Sequence, residues 1–222
     1  MPGLEISCEH KGTLHILGYF IDHKNEDLLS TLSWLREKRS ERNVKIVRKL
    51  KELGFDVTLE ELEEVAGGEV IGRPHMAKVL LNKGYVSSIE EAFEKYLKKG
   101  GPAYVDKVRL RSHEAIKLIK EAGGLPVLAH PVTLGLDRNE LESFVENLVH
   151  EGLEGIEVYY PEHEEDDIEF YLYLSKKFNL VPTGGTDFHG DVKPNIKLGM
   201  LDIPFEIYKG LEERWRTIHE NE

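Results

Sequence analysis

The 222-residue chain is long enough to bury a full core as one domain carrying an insertion. Its 29 basic and 41 acidic residues, a net charge of −12, exclude a broad surface for the nucleic-acid backbone, so an anionic substrate needs a local pocket. A single cysteine, Cys8, excludes an intrachain disulfide; no apolar run reaches the ~20 residues of a membrane helix and no signal segment opens the chain, so the expectation is a cytoplasmic protein without a membrane partner.

Gly3 to Ser7 and Thr13 to Ile21 read as two strands of a hairpin, joined by a polar turn at Glu9 to Gly12. Asn25 or Asp27 then caps a long amphipathic helix, with Leu28, Leu32, Leu35, Val44, Val47 and Leu50 near helical spacing, ended by Gly54. Thr58 and Glu61 make a capping box for a short helix, Pro74 to Asn82 reads as another, and Ser88 with Glu91 repeats the signal. With no strand expected between them, residues 25–101 read as a helical insertion subdomain, and residues 1–24 with 102–222 as the main body.

The pattern then alternates: helix Ser112 to Ala122, strand Pro126 to His130, helix Arg138 to Glu151, strand Gly155 to Tyr160, helix His163 to Phe178, strand Val181 to Asp187. The fold class is therefore α/β, its short apolar strands fitting a parallel sheet covered by helices, either open or closed into a barrel. The acidic run Glu162 to Asp167 reads as a solvated helix start, and His163 joins His10, His23, His113, His150 and His219 as a histidine given no function.

Chemistry is concentrated at strand ends. Asp187 and His189 are two apart at the end of a predicted strand, flanked by Gly184, Gly185 and Gly190, which is ligand spacing at the rim where α/β folds place their sites. His130 closes its own apolar strand, and the three residues make a candidate divalent-metal cluster. Glu5 and His15 each interrupt an apolar run on the hairpin, which is costly on a buried strand unless the side chain is paired or bound to metal.

Together the segments Pro2-Gly3-Leu4-Glu5-Ile6-Ser7, His15-Ile16-Leu17-Gly18-Tyr19-Phe20, Gly72-Arg73-Pro74-His75, Pro102-Ala103-Tyr104-Val105, Leu128-Ala129-His130-Pro131, Gly155-Ile156-Glu157-Val158-Tyr159-Tyr160 and Gly184-Gly185-Thr186-Asp187-Phe188-His189 resemble the PHP domain (polymerase and histidinol phosphatase) family, in its stand-alone nucleotide-phosphoesterase branch. The resemblance implies a distorted (β/α)7 barrel with a helical insertion. Its rim holds up to three divalent ions, manganese, iron or zinc, which hydrolyse phosphate esters of nucleotides or short RNA ends through a metal-activated water. By that similarity Glu5, His15, His130, Asp187 and His189 are metal ligands and Glu157 is a carboxylate behind them. Arg73 and His75, beside a helix start, and Arg39 and Arg42 on the long helix are expected to contact the substrate phosphate.

The family's opening His-x-His strand, its following Asp and a further His have no counterpart in this sequence, so the expected barrel is N-terminally incomplete. Distributed over the family's sites, Glu5, His15 and His130 make one complete position, Asp187 with Glu5 part of a second, and His189 part of a third, so one ion is expected here. Unpaired strand edges would leave room for a homodimer. The alternative reading is a noncatalytic nucleotide-binding or partner-binding module with a vestigial metal site; a third is an amidohydrolase-like metal enzyme.

Overall fold

A computed structural model describes residues 1–68, 70–190 and 195–220 of the chain. The chain forms two compact units, one from Met1–Ser30 with Arg109–Glu222, the other from Thr31–Val108.

The first unit is a mixed α/β layer structure. Strands β1 (Gly3–Cys8) and β2 (Leu14–Tyr19) form the antiparallel hairpin, and β2 also runs antiparallel to β3 (Leu125–Leu128). Strands β4 (Gly155–Tyr159) and β5 (Val181–Gly184) extend the sheet in parallel, in the spatial order β1-β2-β3-β4-β5. The hairpin reverses only β2, so β1, β3, β4 and β5 all point their C-terminal ends at one rim.

Alternation gives the sheet two unlike faces. Ile6, Ile16, Leu128 and Ile156 share the fully buried face, where α5 (Ser112–Glu121) packs with Ala115, Ile116 and Ile119 inward. Gly18 lies on that face, and a Cβ there would stand 3.1 Å from the Ile119 side chain. Helices α6 (Arg138–Glu151) and α7 (Glu165–Lys177) are the crossovers that let β3, β4 and β5 run parallel.

The opposite face is divided. Its lower part is apolar: Leu125, Val127 and Val181 form a cluster with Leu211, joined by Leu17, Tyr19, Phe20, Trp215 and Ile218. Leu211, Trp215 and Ile218 belong to α8 (Phe205–Glu220), a helix not anticipated from the sequence, although Phe205, Tyr208, Leu211, Trp215 and Ile218 trace a stripe at helical spacing. The upper part, toward the strand C-termini, carries Glu5, His15 and Glu157.

The second unit continues α1 (Glu26–Glu52), whose start in the first unit is capped by the Asn25 side chain accepting from Leu28 N–H at 2.9 Å. Helices α2 (Leu59–Ala66), α3 (Arg73–Asn82) and α4 (Ile89–Ala92), with a π-helical turn at Phe93–Leu97, close around Ile46, Leu50, Leu62, Met76, Leu80 and Leu97. Thr58 and Glu61 form the capping box of α2. No helix among the described residues is long and apolar enough to cross a membrane.

Candidate metal centre

Glu5 pairs with Leu17, and His15 with Ser7, across the hairpin, so both side chains leave the divided face, on neighbouring strands. His15 Nδ1 touches Glu5 Oε1 and lies 3.2 Å from His130 Nε2, which is itself 3.3 Å from Glu5 Oε1. One ligand atom from each of the three residues lies within 4.8 Å of the others.

His130 reaches this point through an uncommon backbone. Strand β3 stops at Leu128, earlier than the sequence pattern suggests, and His130 has φ 27°. Positive φ is strained for a residue with a Cβ and persists when its surroundings hold it. Here the buried Glu157 carboxylate accepts the His130 backbone N–H at 2.8 Å, and a 3-10 turn, Pro131–Leu134, begins directly after. Thr133 Oγ1 stands 2.8 Å from His130 Nδ1 and 2.9 Å from the Thr13 carbonyl, to which it can donate. In neutral His130 the Nδ1 proton then goes to Thr133, leaving the Nε2 lone pair facing Glu5 and His15, the tautomer a metal ligand requires.

Burial pushes the Glu5 carboxyl upward, but hydrogen bonds from His130 and His15 and the charges of both rings outweigh it, holding it well below the usual carboxylate range. Burial opposes the charging of His130 too; the hydrogen bond and charge of Glu5, with Glu157 and Asp187, prevail and raise its pKa. Glu157 behaves oppositely: burial pushes it up to about 7, against the hydrogen bond from His130 N–H, with Glu5 and Asp187 adding to the rise. Three donors drawn together at one point, with negative charge concentrated around them, fit a divalent cation.

Asp187 and His189 arrive by another route. Strand β5 ends at Gly184, so both stand on the loop beyond it and alternation does not align them. Asp187 adopts φ 48°, and its Oδ1 lies 3.1 Å from His189 Nδ1, with His189 half exposed. Neither belongs to the three-residue cluster found among the described residues.

The four residues expected at phosphate lie in the second unit. Arg73 Nη1 donates to the Leu97 carbonyl at 3.0 Å, and its guanidinium stands over the rings of Phe93 and Tyr104. His75 Nδ1 accepts from Gly72 N–H, closing the first turn of α3. Arg42 is buried and donates through Nε to the Val105 carbonyl, while Arg39 is half-buried on α1. Sequence reasoning passed over Thr133, whose one signal is its place three residues after a strand-end histidine.

A mixed sheet whose strand ends gather one carboxylate and two imidazoles defines a metal-dependent hydrolase type of site. No protein-family model matches the chain. It is 31% identical over 223 residues to a 3',5'-nucleoside bisphosphate phosphatase of Chromobacterium violaceum, covering 96% of this chain and 77% of that protein. It is 30% identical to the 5'-3' exoribonuclease Rnm of Escherichia coli, covering 97% and 73%. Among solved structures, it matches one described as a metal-dependent phosphoesterase of Bifidobacterium adolescentis with TM-score 0.80 at 28% identity, covering 96% and 75%. It also matches one described as an amidohydrolase of Chromobacterium violaceum with bound sulfate, with TM-score 0.78 at 30% identity, covering 96% and 76%. The chain belongs to the phosphoesterase family that includes the nucleoside bisphosphate phosphatase and the Rnm exoribonuclease.

Proposed function

We propose that the chain is a metal-dependent phosphoesterase of PHP type, built on that family's barrel plan, and that it hydrolyses phosphate esters of nucleotides or short RNA ends. The convergence of Glu5, His15 and His130 at one point carries this reading. These three residues would hold a divalent ion, manganese, iron or zinc, and Asp187, sharing Glu5, would serve a second, weaker position, with His189 part of a third.

A cation bound there supplies an activated water near neutral pH and neutralises charge on the phosphoryl oxygens. The chain's own residues set up that chemistry. Glu5 reaches both imidazoles at once, Thr133 keeps the His130 ring in one tautomer, and Glu157 holds the His130 backbone in its strained conformation. Arg39, Arg42, Arg73 and His75 are assigned to substrate phosphate.

The test is phosphate release by the purified chain with Mn2+, on a nucleoside 3',5'-bisphosphate and on a 5'-phosphorylated oligoribonucleotide. Metal-dependent release that Glu5→Ala abolishes is the expected result. Nucleotide binding without release would favour the noncatalytic alternative. Arg73→Ala should raise KM about 10- to 100-fold, since a hydrogen bond to a charged group contributes about 1.5–3 kcal/mol; an unchanged KM would remove Arg73 from the phosphate contacts.

A further inference from the structure

The sequence makes Tyr160 the last residue of an apolar strand, and strict alternation would turn it away from Glu157, on the side of Ile156 and Val158. The pairing of β4 with β5 shifts register between Glu157 and Tyr159, and such a bulge re-aims the side chains that follow it. The Tyr160 ring consequently stands 5.4 Å from the His130 ring, and its hydroxyl lies 3.5 Å from Asp187 Oδ2 and 3.5 Å from Glu162 Oε1. Tyr160 is buried all the same, at 4% exposure.

Two features hold the ring there. The ring of His163 also lies 5.1 Å from it; its Nδ1–H donates to the Val158 carbonyl at 2.7 Å and its Nε2 is buried with no hydrogen-bond partner. His163 Nε2, the acceptor of that ring, makes no hydrogen bond, so the Tyr160 hydroxyl is left to the two carboxylates, Asp187 and Glu162. The backbone is closed as well: Gly185 N–H donates to the Tyr159 carbonyl at 3.0 Å, and a Cβ on Gly184 would stand 2.6 Å from Tyr159 Cβ. Glycine at 184 is what lets the Asp187 loop come this close to the end of β4.

We propose that Tyr160 is the positioning residue for Asp187: its ring packs against a ligand of the first ion, and its hydroxyl orients the carboxylate that receives the second divalent cation. This rests on the proposed function above, in which Asp187 serves that second position. Tyr160→Phe is the informative variant because it keeps the ring against His130 and His163 and removes only the hydroxyl.

The experiment is a Mn2+ titration of the whole chain, followed by the electron paramagnetic resonance signal of free Mn2+, on wild type, Tyr160→Phe and Asp187→Asn, with thermal unfolding of each. The expected result is an unchanged tight class and an unchanged Tm in Tyr160→Phe, with the weaker class loosened about 10- to 100-fold, the usual cost of losing a group that orients a ligand. A weaker class equal to wild type would overturn the role of the hydroxyl. Equal loosening of both classes, or a fallen Tm, would also overturn it, making Tyr160 a packing residue alone. A wild type with a single class that Asp187→Asn leaves intact would instead remove the second position itself, and this inference with it.

Discussion

The Glu5–His15–His130 cluster and the Asp187–His189 pair sit on the same sheet but are built differently. Glu5 and His15 stand on a hydrogen-bonded hairpin in fixed register, and His130 is tied at its backbone by Glu157 and at its ring by Thr133. Asp187 and His189 stand past the end of β5 on a loop, with His189 half exposed. A group fixed by strand register and by hydrogen bonds to backbone and ring has met the entropic cost of assembly during folding, whereas a loop meets more of it at binding. The first group should therefore bind an ion strongly and the second weakly.

The largest effect expected from that contrast belongs to Glu5. Glu5→Ala removes the carboxylate that both imidazoles share, and metal retained after dialysis, measured by elemental analysis, should fall with an affinity loss of about 100-fold or more. Asp187→Asn should loosen only the weaker class of a metal titration, and by at least the roughly 10- to 100-fold expected when the group that orients it is lost. If it loosens the tight class as Glu5→Ala does, the two groups form one site and the contrast is void. Thr133→Val, which keeps the shape but removes the partner of His130 Nδ1, should loosen the tight class by about tenfold, at the low end for a group behind a ligand.

The smallest effect is one of pH, read on metal-free protein. Glu157, raised by burial from 4.5 to about 7, keeps its proton in the folded state across that window while the unfolded chain has lost it. The folded state then binds more protons, so this group subtracts stability as pH rises from about 4.5 to 7, by up to about 1.4 kcal/mol per pH unit. Glu5, held low, works in the opposite sense: its stabilisation is complete above the ordinary carboxylate pKa and is lost in acid. Glu157→Gln should therefore gain in Tm relative to wild type between pH 5 and 7, by about 5 °C or more. A constant difference across that range would mean that Glu157 is ionised in the folded state.

Much of the fold could be read from the residues themselves. The hairpin and the later alternation of helices and strands follow from apolar patterning, and Glu5 and His15 stood out because each breaks an apolar strand. Local pattern did not reveal where strands end. β3 and β5 stop short of His130 and Asp187, whose left-handed backbones depend on tertiary contacts such as the Glu157 carboxylate. Tyr160 reads from the sequence only as the end of a strand and of a family-like segment: its direction is set by a bulge between two strands, and no single strand encodes a bulge in its own alternation. α8 was missed although its apolar stripe is present, because one-sided hydrophobicity in an isolated segment does not say which surface it covers.

That helix also has a consequence for how the protein is made. α8 follows every strand among the described residues, yet its Leu211 completes the apolar cluster of Leu125, Val127 and Val181. While a ribosome is still adding residues 205–220, the sheet can pair its strands and gather its polar rim, but the lower half of that face lacks the helix that packs on it. A nascent chain in that state presents a sticky surface to its neighbours, so any pause in synthesis before α8 emerges lengthens the time when aggregation or chaperone capture competes with folding.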